Sequence, residues 1–169
     1  MRTQPLCSLL LPLALTACAS SRFGDAPLRE GELLSREKYE DYQTATYSFE
    51  HGVRDDPDLS ITNNDWDLQF GNGGDEFSVT MVTDDRSRLV DLGRYTWDEL
   101  EHVVIPVPEP HAEPTREPDL PVIPGHVYVV HTADRETDLV ALVRVESLVP
   151  GDRVRFTWRL LDPRAVSRD

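Results

Sequence analysis

The segment RVRFTWRLL, residues 153–161, decides the fold class of this chain. Its apolar positions are Val154, Phe156, Trp158 and Leu160, and its polar positions are Arg153, Arg155, Thr157 and Arg159. A period of two is typical of a β-strand with one face on a core and the other in water. The segment therefore predicts a strand in a sheet that has one wet face.

Six further segments carry strand patterns and are separated by turn residues. They are residues 45–50, 65–70, 76–82, 87–93, 126–133 and 138–149. Asn72-Gly73-Gly74 tolerates positive φ and predicts a hairpin, and Pro150-Gly151-Asp152 predicts a second tight turn. We therefore expect a mainly β fold, an antiparallel β sandwich or open barrel of about seven short strands with one short helix.

The short helix and a proline-rich segment lie between the strand patterns. Thr96-Trp97-Asp98-Glu99 has the Thr-x-x-Glu spacing of a capping box and predicts a helix start. In residues 105–124, seven of the twenty residues are proline, and acidic residues lie between them. Proline interrupts the hydrogen bonding of sheets and helix interiors, so we expect a Pro-rich acidic loop that runs extended over the surface.

The N-terminal segment predicts where the protein resides. Arg2 precedes an apolar run over residues 6–15, which is about half of the ~20 residues that a membrane-spanning helix needs. Leu15-Thr16-Ala17-Cys18 resembles the lipobox of bacterial lipoproteins, which implies removal of residues 1–17 and acylation at Cys18. An ordinary secretory signal that happens to contain a cysteine is the alternative.

This resemblance implies a domain plan and a location. Residues 1–17 are a lipoprotein signal peptide, residues 18–31 a lipidated tether, and residues 32–169 a single β-rich domain. Several acyl chains anchor a protein stably, so the membrane is the first expected partner. Ala19 stands where Asp would favour inner-membrane retention, so we expect a lipid-anchored protein of the bacterial cell envelope, at the outer membrane.

Composition excludes several classes of function. The chain has 17 Lys and Arg against 31 Asp and Glu, and loss of Arg2 with the signal peptide leaves 16 against 31, a formal charge of −15. Such a chain repels phosphates, so we expect no nucleic-acid partner. The two cysteines are Cys7 in the signal peptide and Cys18, so the folded domain has no disulfide and no thiolate metal site.

No catalytic motif occurs in the sequence, whether a Gly-x-Ser-x-Gly elbow, a His-Glu-x-x-His motif or a phosphate loop. Abundant carboxylates leave acid–base chemistry open, although a solvated acidic face explains them more simply. Calcium takes hard oxygen ligands, and acidic clusters offer a loop-borne calcium site as a hypothesis. Its candidate ligands are Asp55, Asp56, Asp58, Asp65 and Asp67.

Several strand segments together resemble the HmuY-type haem-binding lipoproteins. The matching pieces are residues 66–70 with the turn 72–74, and residues 127–134, 141–145 and 155–158. The resemblance implies an all-β, lipid-anchored protein that holds haem iron between two side chains. No histidine aligns with the family's ligands, and the proline-rich segment replaces the region between residues 97 and 122. The histidines that bracket this region, His102, His111 and His126, are therefore the candidate haem or metal ligands.

Three functional hypotheses follow from these observations. The first is a lipid-anchored envelope protein that acts as a non-catalytic ligand-binding or interaction module, with an envelope protein or a small ligand as its partner. The second is an HmuY-like haem-binding lipoprotein, with haem as the cofactor. The third is a carboxylate-based enzyme, which no specific motif supports.

Overall fold

A computed structural model of the chain describes residues 23, 26–50, 66–79, 86–133 and 137–161. Its strands are β1 Arg29–Leu34, β2 Thr46–Tyr47, β3 Leu68–Phe70, β4 Glu76–Ser78, β5 Arg88–Arg94, β6 Leu120–Pro121, β7 His126–Ala133, β8 Asp138–Val149 and β9 Arg153–Leu160. Its helices are α1 Arg36–Tyr39, α2 Tyr42–Ala45 and α3 Trp97–Leu100. None of these helices is long and apolar enough to cross a membrane.

The strands form two antiparallel sheets. One has five strands in the order β1-β9-β8-β7-β5, and the other has four in the order β2-β3-β4-β6. The prediction of a mainly β antiparallel fold is confirmed, and the described strands close no barrel. The described residues contain nine strands rather than about seven, because β1 and β6 carry no alternating pattern. They also contain three short helices rather than one.

Local turn and cap predictions are also confirmed. The Asn72-Gly73-Gly74 segment joins β3 and β4 as a hairpin, in which Phe70 pairs with Phe77. Helix α3 starts with the predicted capping box, in which the Thr96 hydroxyl and the Glu99 carboxylate each accept from the other residue's backbone N–H. The hairpin turn and the helix cap both depend on residues close in sequence, so the local sequence pattern was sufficient to predict them.

The inner core lies between the two sheets. Trp158 of β9 is 1% exposed, and its ring lies 5.7 Å from that of Tyr47 and 5.0 Å from that of Phe49. The Trp158 indole N–H donates to the Tyr47 hydroxyl at 3.1 Å. The predicted apolar face of residues 153–161 is therefore core, and Trp158 packs the five-stranded sheet against β2 and the residues that follow it.

The prediction of one wet face is wrong for the centre of the five-stranded sheet. Val127, Val129 and Leu142 are fully buried on the side opposite the inner core. They pack with Phe23, Leu100 and Leu161, and half-buried residues such as Trp97 and Ile105 cover them. We call Phe23, α3 and residues 103–107 the outer layer. Strand β7 is buried along both faces because it lies between the inner core and this layer.

The proline-rich segment joins a sheet at one point, contrary to expectation. Residues 105–119 form neither helix nor strand, but Leu120 pairs with Phe77 and Pro121 with Glu76 as strand β6. Strand β6 lies at the edge of the four-stranded sheet, where a proline needs no ladder hydrogen bond on its free side. The segment is thus extended over the surface as predicted, but its end is held by pairing.

The predicted tether is too long. Residues 29–31 belong to β1, where Gly31 pairs with Phe156. A Cβ on Gly31 would lie 2.4 Å from the Phe156 ring, so this position needs glycine for packing rather than for flexibility. Phe23 is also buried, in the outer layer. The small and polar residues between Phe23 and Gly31 predicted a tether, but Phe23 is packed against the five-stranded sheet and Gly31 against the Phe156 ring within it.

Candidate functional site

An open groove of about 490 Å³ lies on the outer face of the five-stranded sheet, across β1, β9 and β8. The antiparallel register places Glu30 opposite Thr157 and Glu32 opposite Arg155. The residues that line it are Glu30, Gly31, Glu32, Glu146, Arg155, Phe156 and Thr157. Strand alternation directs Glu30, Glu32 and Arg155 away from the inner core. Glu146 lies at the register shift of β8, between Val145 and Ser147.

Hydrogen bonds hold most of the groove's polar side chains. The Arg155 guanidinium donates to Glu32 at 2.6 Å, and the Thr157 hydroxyl donates to Glu146 at 2.6 Å. Arg144 donates to the second oxygen of Glu146. Burial opposes the charged form of Glu146, but the hydrogen bonds from Arg144 and Thr157 outweigh it and lower the pKa of this carboxyl. The groove therefore presents fixed charges rather than mobile ones.

Glu30 supplies a carboxylate of a different kind. It is exposed, and none of the ion pairs between described residues includes it. The lining holds three glutamates and one arginine, so its formal charge is −2. Such a surface attracts cationic groups and repels anionic ones.

The candidate histidines lie apart. His111 contacts Glu117 through Nε2 at 2.6 Å, and its backbone N–H donates to Arg86 next to the start of β5. His126 contacts Asp91 at 3.0 Å and pairs with Arg94 at the other end of β5. The imidazoles of His111 and His126 are thus held by two different carboxylates, those of Glu117 and Asp91. The described structure does not bring these two histidines together with other metal-ligating side chains.

The remaining candidate positions divide between described and undescribed residues. His102 is exposed in the turn after α3. Asp67 is buried, and its carboxylate accepts from the Phe49 N–H at 2.6 Å. Cys18 and four candidate calcium ligands, Asp55, Asp56, Asp58 and Asp65, lie outside the described residues. Among the described residues, no three His, Cys, Asp or Glu side chains are placed to hold a metal ion.

The role of His131 was not indicated by any sequence motif. It lies in β7 with its side chain 7% exposed, Nδ1 2.7 Å from the Pro108 carbonyl and Nε2 2.9 Å from Asp138. Tyr128 contacts the proline-rich segment nearer its C-terminal end, where its hydroxyl donates to the Pro121 carbonyl at 2.6 Å. Burial raises the pKa of Tyr128 to about 12, so this hydroxyl stays a donor. Both residues attach the proline-rich segment to the sheet.

Glu117 is the third attachment of the proline-rich segment. Its carboxylate accepts from the Leu89 N–H at 3.2 Å and from Arg88 at 3.1 Å, and it contacts His111. Burial opposes its charge, but these hydrogen bonds prevail and lower its pKa. The partners are 28 and 29 residues away along the chain, so only the folded sheet brings them together.

No family model, no curated protein and no solved structure matches this chain.

Proposed function

We propose that this protein is a lipid-anchored envelope protein that acts as a non-catalytic binding module, with the groove across β1, β9 and β8 as its ligand site. The lipobox pattern of Leu15-Thr16-Ala17-Cys18 supports the anchor. The groove is the observation that carries the binding function. Its volume of about 490 Å³ falls within the range of roughly 300–1,000 Å³ that is usual for ligand sites.

The charge of the groove favours a ligand with a cationic group, such as a lysine or arginine side chain of another envelope protein. Glu30 is available for a new ion pair, whereas Glu32 and Glu146 are held by neighbouring arginines. The lowered pKa of Glu146 suits a fixed hydrogen-bond acceptor better than a general acid, whose pKa should lie near the working pH.

The anchor is tested by Cys18→Ser, which removes the acceptor thiol. We expect the variant to move from the membrane fraction to the soluble fraction and to lose the mass of the lipid. A variant that stays with the membranes at parental levels would contradict the lipidation proposal.

The binding site is tested on the soluble Cys18→Ser form by calorimetric titration with a short oligolysine peptide at about 0.1 M salt. Glu30→Lys reverses one charge inside the groove. Reversal of a close, solvent-exposed charge is worth about 1–2 kcal/mol, so we expect an affinity about five- to thirty-fold weaker. An oligoglutamate peptide should not bind.

Glu113→Lys is the matched control, because Glu113 is exposed in the proline-rich segment, outside the groove. It makes the same change in net charge and should leave the oligolysine affinity within about twofold, since exposed charges beyond ~10 Å are largely screened. Equal losses in Glu30→Lys and Glu113→Lys would show that the peptide responds to net charge alone and would refute the groove as the site.

A further inference from the structure

Phe23, five residues after Cys18, is fixed to the outer face of the five-stranded sheet. It is 1% exposed, and its ring lies edge-on to Trp97 at 6.0 Å between centroids. The Arg159 guanidinium lies over the same ring, 4.6 Å from its centroid. Aromatic and cation–π contacts of this kind add to the stabilisation from burial.

The backbone after Phe23 is held as well. The Ala26 N–H donates to the Phe23 carbonyl at 3.0 Å, and the Ala26 carbonyl accepts from Arg159 at 3.2 Å. Strand β1 begins at Arg29, which pairs with Trp158. The domain is therefore attached to the preceding chain at Phe23, and residues 26–31 add nothing to the length of a tether.

Chain geometry limits how far the domain can lie from a lipid on Cys18. Five residues span at most about 17 Å, whereas a free tether through residue 31 would span up to about 45 Å. A domain of this size has a radius of gyration of about 14 Å. A link of about 17 Å cannot reach around it, so the face that carries Phe23 must stay next to the membrane.

We propose that the outer layer is the membrane-facing surface of this protein, with the four-stranded sheet directed away from the bilayer. The proposal rests on the lipidation of Cys18 proposed above. The occupant of this face is the lipid surface itself. The covalent link rather than charge attraction holds it there, because the chain without residues 1–17 carries a formal charge of −15.

This orientation also locates the groove. The Trp97 indole N–H of α3 donates to the Thr157 hydroxyl at 3.0 Å, so the outer layer borders the groove directly. A ligand therefore enters the groove close to the membrane surface.

The test measures energy transfer from the lipidated protein in phosphatidylethanolamine–phosphatidylglycerol vesicles to acceptor dyes on the lipid headgroups. Donor dyes are attached at single introduced cysteines, since the thiol of Cys18 is blocked by its lipid. Val104→Cys places the dye at an 83% exposed position of the outer layer. Asn72→Cys places it at the exposed β3–β4 turn of the four-stranded sheet. We expect clearly greater transfer from position 104.

Two tether variants separate a short link from chance orientation. A Gly/Ser spacer of about 15 residues inserted after Ser21 adds about 20 Å of mean reach without altering Phe23. It should lower the energy transfer from position 104 and narrow the difference in transfer between positions 104 and 72. Phe23→Ala should also narrow the difference in transfer between positions 104 and 72. Without the buried ring, the free chain between the lipid and the domain lengthens towards Arg29. Leu28→Ala, an exposed truncation in the same lead segment, should preserve the parental difference.

Mass spectrometry of the reconstituted protein distinguishes the two proposals. Equal transfer from both positions, or greater transfer from position 72, in protein whose Cys18 is lipidated would overturn the membrane-facing assignment alone. Protein that carries no lipid on Cys18 would overturn both the anchor and the orientation that rests on it.

Discussion

Trp158→Ala should be among the most damaging single substitutions in this domain. The side chain is 1% exposed and contacts the aromatic rings of Tyr47 in β2 and Phe49 just after it, which face the five-stranded sheet. Truncation of a buried tryptophan costs about 3–5 kcal/mol, through lost transfer free energy and the cavity that remains. Small domains have a free energy of unfolding of about 5–15 kcal/mol, so the variant should be marginally stable.

Guanidinium unfolding of the soluble Cys18→Ser form, followed by far-UV circular dichroism, measures this loss without relying on tryptophan fluorescence. Trp158→Phe keeps most of the ring and removes the N–H that donates to Tyr47 at 3.1 Å, so we expect a smaller cost of about 1–2 kcal/mol. Val149→Ala, at a half-exposed position, should change stability by less than about 0.5 kcal/mol. A cost below about 1 kcal/mol for Trp158→Ala would refute the placement of this face in the core.

Three further predictions concern packing, acid stability and haem. Gly31→Ala should destabilise the protein by about 1–3 kcal/mol, because its Cβ would overlap a core ring. Gly73→Ala is the control: its Cβ has no neighbour closer than 3.9 Å, so its stability should stay within about 0.5 kcal/mol of the parent. Equal unfolding midpoints for the two variants would contradict this prediction. Hydrogen bonds, the largest from Lys38, hold the pKa of Asp152 well below its ordinary 3.8, so its stabilisation is complete above that pH and lost as pH falls through the lower folded value. As pH is lowered from about 5 to 2, the melting temperature should therefore fall less steeply for Asp152→Asn than for the parent. Parallel curves for the two proteins would show that Asp152 does not contribute to the loss of stability in acid. In a Soret titration we expect no bis-histidine spectrum that depends on both His111 and His126, and a spectrum lost on replacing either one would show that they meet.

The four residues Thr96 to Glu99 illustrate what local sequence can predict here. The cap needs only that a hydroxyl and a carboxylate stand three residues apart, and both hydrogen bonds form as expected. The hairpin at residues 72–74 follows for the same reason, because its geometry depends on the φ freedom of adjacent residues. The alternation in residues 153–161 identified the inner-core face by the period of a strand alone.

The candidate site was less predictable. The groove combines Glu30 and Glu32 with residues 146–157, which are more than a hundred positions away in the chain. Their proximity depends on the pairing of β1 with β9, and β1 has no alternating pattern because Gly31 stands at a core-facing position. The partners of His111 and His126, which are Glu117 and Asp91, likewise depend on how the proline-rich segment and β7 lie against β5.

The sequence by itself determined the antiparallel strands, the capped helix, the acidic surface and the lipobox pattern, since each is encoded within a few neighbouring residues or in composition. Only the tertiary structure decided that Phe23 is docked rather than part of a tether, and that the proline-rich segment is bound to the sheet through Glu117 and His131. These contacts join segments far apart in the chain, and burial and hydrogen bonding between such segments exist only once the two sheets have packed.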